Sequence, residues 1–229
     1  KLYLKNNIEL IPMKKYFYEE TGMYIDWPQI ERLPEIDTLI DVGVGQLGTP
    51  ELYNRFPKSK LILIDPIQEA ENYAKENLSH RDYEFFKYGL GDKDETKILF
   101  IEEEIGRSTM LNVTSLNYES EPVKKIKVEV KTLDSIYKKV FNCGKIGLKI
   151  DTEGYELKII KGAKKVLKST NFVIAEVRHN HESFNKQYKL HEFIDEMNKN
   201  GFILTMILTA KPLIADLCFE KKSNLKFDN

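Results

Sequence analysis

The sequence predicts an α/β protein built on a doubly wound, mainly parallel sheet with helices on both faces. Three observations carry that expectation. Strand-like and helix-like periods alternate from residue 38 onward, the order that builds parallel βαβ units. The segments 38–42, 61–64 and 145–150 are nearly continuous apolar runs, as strands covered on both faces are. Gly43, Gly45 and Gly48 follow the first of these as G-x-G-x-x-G, and Asp65 closes the second about 20 residues on, the layout of a nucleotide-binding βαβ unit.

The elements follow in chain order. Residues 1–37 carry Pro12, Gly22, Pro28 and Pro34 among aromatic residues such as Tyr16, Phe17, Tyr24 and Trp27. That composition suggests an N-terminal extension of short amphipathic helices broken by prolines, either packed on the core or serving as a lid or dimer contact. The main domain then spans 38–229. After strand 38–42, Thr49 is placed to cap a helix and Pro50 to take its first position. Asp65-Pro66 ends strand 61–64, a helix follows over 67–78, and strand 83–88 closes on Gly89-Leu90-Gly91-Asp92. Strands 95–101 and 124–131, the latter with Ile126, Val128 and Val130 alternating, form an antiparallel insertion at one edge. Thr132 caps a helix reaching Val140, and strand 145–150 ends in Asp151-Thr152-Glu153-Gly154. One helix then runs through Leu157, Ile160 and Leu167. Strand 172–177, a helix over 187–199 stopped at Gly201, and a hairpin of strands 202–209 and 214–220 joined through Lys211-Pro212 complete the chain.

Bulk properties narrow the function. A chain of 229 residues suits one α/β domain with an extension. Its 35 basic and 36 acidic residues are spread evenly to a net charge of -1, which leaves no electrostatic footprint for nucleic acid. No apolar run approaches the roughly 18 residues of a membrane span. Cys143 and Cys218 lack metal-ligand spacing, and the start, Lys-Leu-Tyr-Leu-Lys-Asn, lacks the apolar stretch of a signal peptide; reduced thiols and a cytoplasmic location are expected.

The glycine pattern alone fits a dinucleotide, but its surroundings do not. Asp41 stands where the first strand meets the turn, and Glu51 lies in the first helical turn. A pyrophosphate there would sit beside two like charges. S-adenosylmethionine has no phosphate and carries a cationic sulfonium and ammonium, so Asp41 would attract it. Asp65 would accept hydrogen bonds from ribose hydroxyls with either ligand.

Ligands of doubly wound sheets lie beyond the carboxyl ends of the strands. Asp41, Asp65, the 89–92 turn, Asp151 and Glu176 all fall at such ends. The expected donor contacts are Asp41, Gly43, Gly45, Gly48, Asp65, Pro66, Leu90, Gly91, Asp92 and Asp151. A hydroxyl acceptor benefits from a positioned base, for which Glu153, Glu176, His179 and His181 are candidates. Each also has a local use: Glu153 as a helix cap, Glu176 as partner of Arg178 or a lysine, the histidines as surface hydrogen-bonders. Asp151 and Glu176 could hold a magnesium ion that lowers the pKa of the acceptor hydroxyl. Ser108 and Thr109, in a glycine-started loop, fit either a ligand contact or a turn.

Several motifs then fall in register with a known family. Val130-Lys131-Thr132-Leu133-Asp134-Ser135-Ile136, then Leu148-Lys149-Ile150-Asp151-Thr152-Glu153-Gly154-Tyr155-Glu156, then Ile160-Lys161-Gly162-Ala163 resemble signatures of the FkbM family of S-adenosylmethionine-dependent methyltransferases. The Asp41-Val42-Gly43 turn, Ile64-Asp65-Pro66 and Gly106-Arg107-Ser108-Thr109 sit where that family has equivalents. Gly45 stands where the family usually has Asn, and Asp65 where it often has Glu. The resemblance implies a seven-stranded, Rossmann-like methyltransferase sheet whose last strand is antiparallel. It also implies methyl transfer to an oxygen of a small molecule, often a sugar, glycan or natural-product precursor. The sequence is compatible with a homo-oligomer. The residues alone leave two alternatives: an NAD-dependent oxidoreductase, resting on the glycine pattern and Asp65, and an inactive binding protein on the same fold. A nucleic-acid methyltransferase is disfavoured by the neutral charge and by the lack of an Asn- or Asp-Pro-Pro-aromatic motif.

Overall fold

Asp41 and Lys149 are the charged residues within two adjacent strands that are buried along their whole length, β1 (Thr38–Val42) and β7 (Ile146–Ile150). They lie directly opposite each other in the pairing. The computed structural model describes residues 27–101, 108–111, 124–140 (backbone only for 138–140), 144–179, 187–211 and 213–225.

The chain enters the sheet at β1 and winds outward through α1 (Pro50–Arg55), β2 (Lys60–Ile64), α2 (Gln68–Asn77) and β3 (Tyr83–Phe86). It leaves the main sheet for β4 (Gly89–Leu90), β5 (Glu95–Ile101) and β6 (Lys124–Lys131), then returns through α3 (Leu133–Val140) to β7 on the other side of β1. Next come α4 (Glu156–Lys161), α5 (Val166–Ser169), β8 (Thr170–Arg178), α6 (Leu190–Lys199), β9 (Phe202–Ala210) and β10 (Ile214–Lys221). The resulting order is β3-β2-β1-β7-β8-β10-β9. Strands β1, β2, β3, β7 and β8 are parallel, and β10 is antiparallel to both β8 and β9. The expected seven-stranded, Rossmann-like sheet with an antiparallel last strand is therefore present, and the strand order reverses between β1 and β7, where such sheets open a ligand crevice.

Each face of the sheet has its own core. Ile40, Val42, Leu148 and Ile150 pack with Leu133, Ile136, Ile159, Phe193 and Met197. Leu39, Leu61, Leu63, Phe172 and Ile174 pack with Leu52, Phe56, Ala70, Ala74 and, from the chain ahead of β1, Trp27 and Ile30. Pro28–Arg32 is a single 3-10 turn, and the Trp27 indole donates a 2.9 Å hydrogen bond to the Thr209 hydroxyl on β9. The remainder of the expected extension, 1–26, lies outside the described residues. Among the described residues no helix is long and apolar enough to cross a membrane. Cys218 is a buried free thiol on β10.

Four local expectations change. Segment 83–88 is not one strand: the Tyr88 amide turns back onto the Phe86 carbonyl at 3.0 Å, and Gly89–Leu90 pairs with β6 instead. The expected edge insertion is consequently a separate three-stranded sheet with β6 central, parallel to β4 and antiparallel to β5. The single helix expected after Gly154 breaks at Gly162, where a β-carbon would lie 2.1 Å from the Gly91 carbonyl oxygen. Its second half is started by Asp134, whose carboxylate accepts the Lys165 and Val166 amides at 2.8 and 3.0 Å. Thr49 does not cap α1; its hydroxyl donates to Asp41 at 3.0 Å, while Pro50 takes the first helical position as expected. Thr132 does cap α3, accepting the Ser135 amide at 3.1 Å.

Candidate active site

The three glycines after β1 have positive φ (82°, 58° and 59° at Gly43, Gly45 and Gly48), a region open mainly to glycine. They use that freedom differently. A β-carbon on Gly43 would lie 1.6 Å from the Asp151 carbonyl oxygen, so this glycine brings the turn onto the end of β7. At Gly48 a β-carbon would meet Tyr73 at 2.5 Å and Tyr53 at 2.9 Å, a packing role. Gly45 meets nothing within 4 Å, so of the three it is the one beside open space.

Asp65, buried at the end of β2, braces this turn. One carboxylate oxygen accepts the Gly45 amide at 2.9 Å and the other the Ile67 amide at 3.0 Å. Burial pushes its pKa up to about 6 against the pull of those two amides. Each oxygen retains a lone pair, so the ribose contacts expected of Asp65 fit its geometry. Pro66 follows it at the head of the loop into α2.

The structure encloses Asp41. The residue is 0% exposed, and one carboxylate oxygen takes the Tyr53 hydroxyl at 2.5 Å and the Thr49 hydroxyl at 3.0 Å. Its other oxygen lies 3.7 Å from the Lys149 ammonium. A carboxylate so enclosed ties the end of β1 to the start of α1.

Across the switch point, β4, β7 and β8 bring a second group together. Leu90 is buried, Gly91 packs under Val130 with room for no more than a tight β-carbon (3.1 Å), and Asp92 is exposed. The 151–154 turn is organised by Glu156, a residue the motif reading left without a role. One of its oxygens accepts the Thr152 amide and hydroxyl, both at 2.9 Å, and the Gly154 amide at 3.1 Å. The other oxygen accepts the Tyr188 hydroxyl at 2.8 Å. Glu153 is thereby held at φ 51°, a strained conformation for a side-chain-bearing residue and one that concentrates at functional sites. Its carbonyl accepts the Thr109 hydroxyl at 2.7 Å and its carboxylate pairs with Arg178.

Asp151, Glu153 and Glu176 present carboxylate oxygens within 4.8 Å of one another. Asp216 on β10 stands directly across from Glu176 in the antiparallel pairing. Crowding shows in their acidities. Burial, then the charges of Asp151, Glu153 and Asp216, raise Glu176 far above the ordinary carboxylate range. Burial raises Glu153 despite Arg178, and burial followed by Asp151 lifts Asp216 to about 6. Lys149 shows the opposite balance: burial works against its charge, yet Asp151, Asp41, Asp216 and Glu176 together hold its pKa above the usual lysine value. Its ammonium lies 3.3 Å from Asp151.

His179 is not drawn into this group. It is exposed at the end of β8, its Nε2 donating to the Lys211 carbonyl at 2.9 Å and its amide to the Leu213 carbonyl at 3.1 Å. His181 and the Gly106-Arg107 start of the loop lie outside the described residues. Ser108 has a buried hydroxyl without a hydrogen-bond partner among the described residues. The residues the sequence reading passed over are Lys149, Asp216, Glu156 and Arg178. The first two had a signal, a lone charge inside an apolar strand, which burial tolerates only when it is paired.

A glycine turn facing acid-bearing strand ends, in a sheet of this order with an antiparallel strand next to its edge, defines a Rossmann-like methyltransferase. The chain resembles magnesium protoporphyrin IX methyltransferase from Synechocystis, solved with bound SAM, at 10% identity and a TM-score of 0.44, over 85% of this chain and 74% of that one. It also resembles a SAM-dependent methyltransferase from Aquifex aeolicus at 15% identity and a TM-score of 0.45, over 84% of this chain and 86% of that one. No curated protein matches it. The family model for the methyltransferase FkbM domain matches residues 41–204, and the chain belongs to that family.

Proposed function

We propose that this methyltransferase uses S-adenosylmethionine to methylate a hydroxyl of a small molecule, a sugar or glycan precursor in the first instance. The observation that carries the reading is the pairing of an open glycine turn at Gly45 with the carboxylates of Asp151, Glu153 and Glu176 across the switch point. The donor's methionine part would lie over Gly43, Gly45 and Asp151, its ribose against Asp65 and its remainder along Leu90, Gly91 and Asp92. A cationic sulfonium is favoured where carboxylates outnumber cations.

Methyl transfer is an in-line displacement, and holding the two reactants aligned is the largest contribution the protein makes. The acceptor oxygen attacks the methyl carbon as the bond to sulfur breaks, the sulfur leaves as a neutral thioether, and the hydroxyl proton passes to a carboxylate. Glu176 is the base this geometry favours. Arg178 engages Glu153, which leaves Glu176 to take the proton; burial and its carboxylate neighbours hold it protonated in the empty site, and the cationic donor beside it would favour its ionised, proton-accepting form.

Magnesium is the alternative to a free Glu176 base. Asp151, Glu153 and Glu176 offer the oxygen donors a hard cation takes, and they are the residues that would hold it. When bound, the ion would lower the pKa of an acceptor hydroxyl. Dialysis against EDTA and restoration with magnesium decides this: activity lost and regained supports it, activity indifferent to EDTA removes it.

The direct test of the reaction is mass spectrometry with an isotopically labelled methyl donor over a panel of sugars, nucleotide sugars and glycan fragments. A labelled hydroxyl product is expected. Methylation confined to amines would overturn the oxygen assignment, and no transfer to any acceptor despite donor binding would favour a binding protein.

A further inference from the structure

We propose that Lys149 is a positioning residue for the methyl donor, joining the carboxylate beneath the glycine turn to the carboxylate at the end of β7. The inference rests on the donor reading above but concerns a residue that touches neither reactant.

Lys149 is 6% exposed, so its ammonium is unavailable to a ligand as a first contact. It lies 3.7 Å from Asp41 on β1 and 3.3 Å from Asp151, just past the end of its own strand. The Asp41 oxygen it faces has no hydrogen-bond partner among the described residues, while the other oxygen is held by Tyr53 and Thr49. Asp41, Thr49 and Tyr53 fix the turn and the start of α1; Asp151 lines the far side of the crevice. The two sides also touch through the backbone, the Asp151 amide donating to the Val42 carbonyl at 2.9 Å and Gly43 lying against the Asp151 carbonyl. These contacts fix the main chain but leave the Asp151 side chain free to rotate. Lys149 supplies the constraint on that side chain, and its long stem reaches both carboxylates because Asp41 and Lys149 are register partners pointing to one face of the sheet.

A purely electrostatic role makes a different prediction. If Lys149 only neutralised Asp41, deleting both charges would restore everything that deleting the lysine destroys. If it positions Asp151, the double variant recovers stability but not donor affinity, because Asp151 remains unpinned. The experiment is calorimetric titration of S-adenosylhomocysteine together with thermal melting on the wild-type chain, Lys149→Met, and Lys149→Met combined with Asp41→Asn. Asn at 41 still accepts from Tyr53 and Thr49 and carries no charge.

Lys149→Met is expected to lose both melting temperature and affinity, the latter by at least about 10-fold. The double variant is expected to regain the part of the melting temperature lost to the orphaned Asp41 charge while its affinity stays at least about 10-fold weak. Wild-type-like affinity in either variant overturns the proposal while leaving the donor assignment intact. Should Lys149→Met fail to fold, the double variant, free of the orphaned charge, decides alone. A wild-type chain that does not bind the ligand overturns the donor reading and this inference with it.

Discussion

Gly43 lies so close against Asp151 that a β-carbon on the glycine would sit 1.6 Å from the Asp151 carbonyl oxygen. The turn after the first strand and the end of the fourth parallel strand in the sheet order are therefore one packed unit. Gly43→Ala introduces both a backbone conformation unfavourable to alanine and a clash, together about 2–5 kcal/mol of stability. Thermal melting is expected to show that loss. Gly45 shares the positive φ but has no neighbour within 4 Å, so Gly45→Ala is expected to cost only about 1–2 kcal/mol yet to weaken S-adenosylhomocysteine binding, because its open side is where the ligand approaches. Equal stability losses for the two variants would contradict the distinction.

Asp65 holds two amides of the donor loop, Gly45 and Ile67. Asp65→Asn removes the charge from both hydrogen bonds and turns an amide group toward one donor. Charge-assisted bonds of this kind are worth about 1.5–3 kcal/mol, so the dissociation constant for S-adenosylhomocysteine is expected to rise roughly 10- to 100-fold. An unchanged constant in a folded variant would show that the brace does not matter to the ligand.

Glu176→Gln separates chemistry from binding. A general base contributes about 10²–10⁴ in rate, so kcat is expected to fall by that order with the donor dissociation constant within about 3-fold of the wild type. A rise in KM with kcat unchanged would reassign Glu176 to binding. Glu153→Gln, by contrast, disturbs a residue paired with Arg178 at a strained turn, and is expected to lower the melting temperature as well as the rate.

The buried carboxyls also set a pH dependence. Asp65 and Asp216 are lifted to about 6 in the folded chain, and Glu153 and Glu176 are raised as well. Unfolded carboxyls titrate near about 4, so between these limits the folded state binds more protons than the unfolded one. Stability contributed by these groups is full below the unfolded values and is lost as pH rises through the folded ones. Melting temperature without ligand is expected to fall from pH 5.5 to 8.5, and to fall less in Glu176→Gln. A rise over that range would reverse the sign argued here.

How much of this was legible beforehand depended on how local each signal was. The strand alternation and the glycine turn are nearest-neighbour patterns, and the β1-to-β10 frame follows them closely. The breaks at Tyr88 and Gly162 were not legible, because each answers to a partner distant in sequence: β6 for Gly89–Leu90, and the Gly91 carbonyl for Gly162. Asp134 looked like part of a motif without a reason; its carboxylate starts α5 from 31 residues away. The site divided in the same way. Asp65, Asp151 and Glu176 were marked by their places at strand ends and Glu153 by its place in the turn after Asp151, and the sheet brings Asp151, Glu153 and Glu176 together. The surroundings of Asp41 were not legible, since only the fold shows that Tyr53, Thr49 and Lys149 surround it. Asp216 entered through the antiparallel pairing of β10 with β8, a long-range contact that periodicity does not encode.

The central claim is that the crevice between Gly45 and the Asp151, Glu153 and Glu176 carboxylates takes a methyl donor. Calorimetric titration of the wild-type chain with S-adenosylhomocysteine, and in parallel with NAD, tests it most directly. Saturable one-to-one binding of S-adenosylhomocysteine, weakened by Gly45→Ala, with no heat from NAD, is the predicted result. Binding of NAD with none of S-adenosylhomocysteine at millimolar ligand would contradict the account.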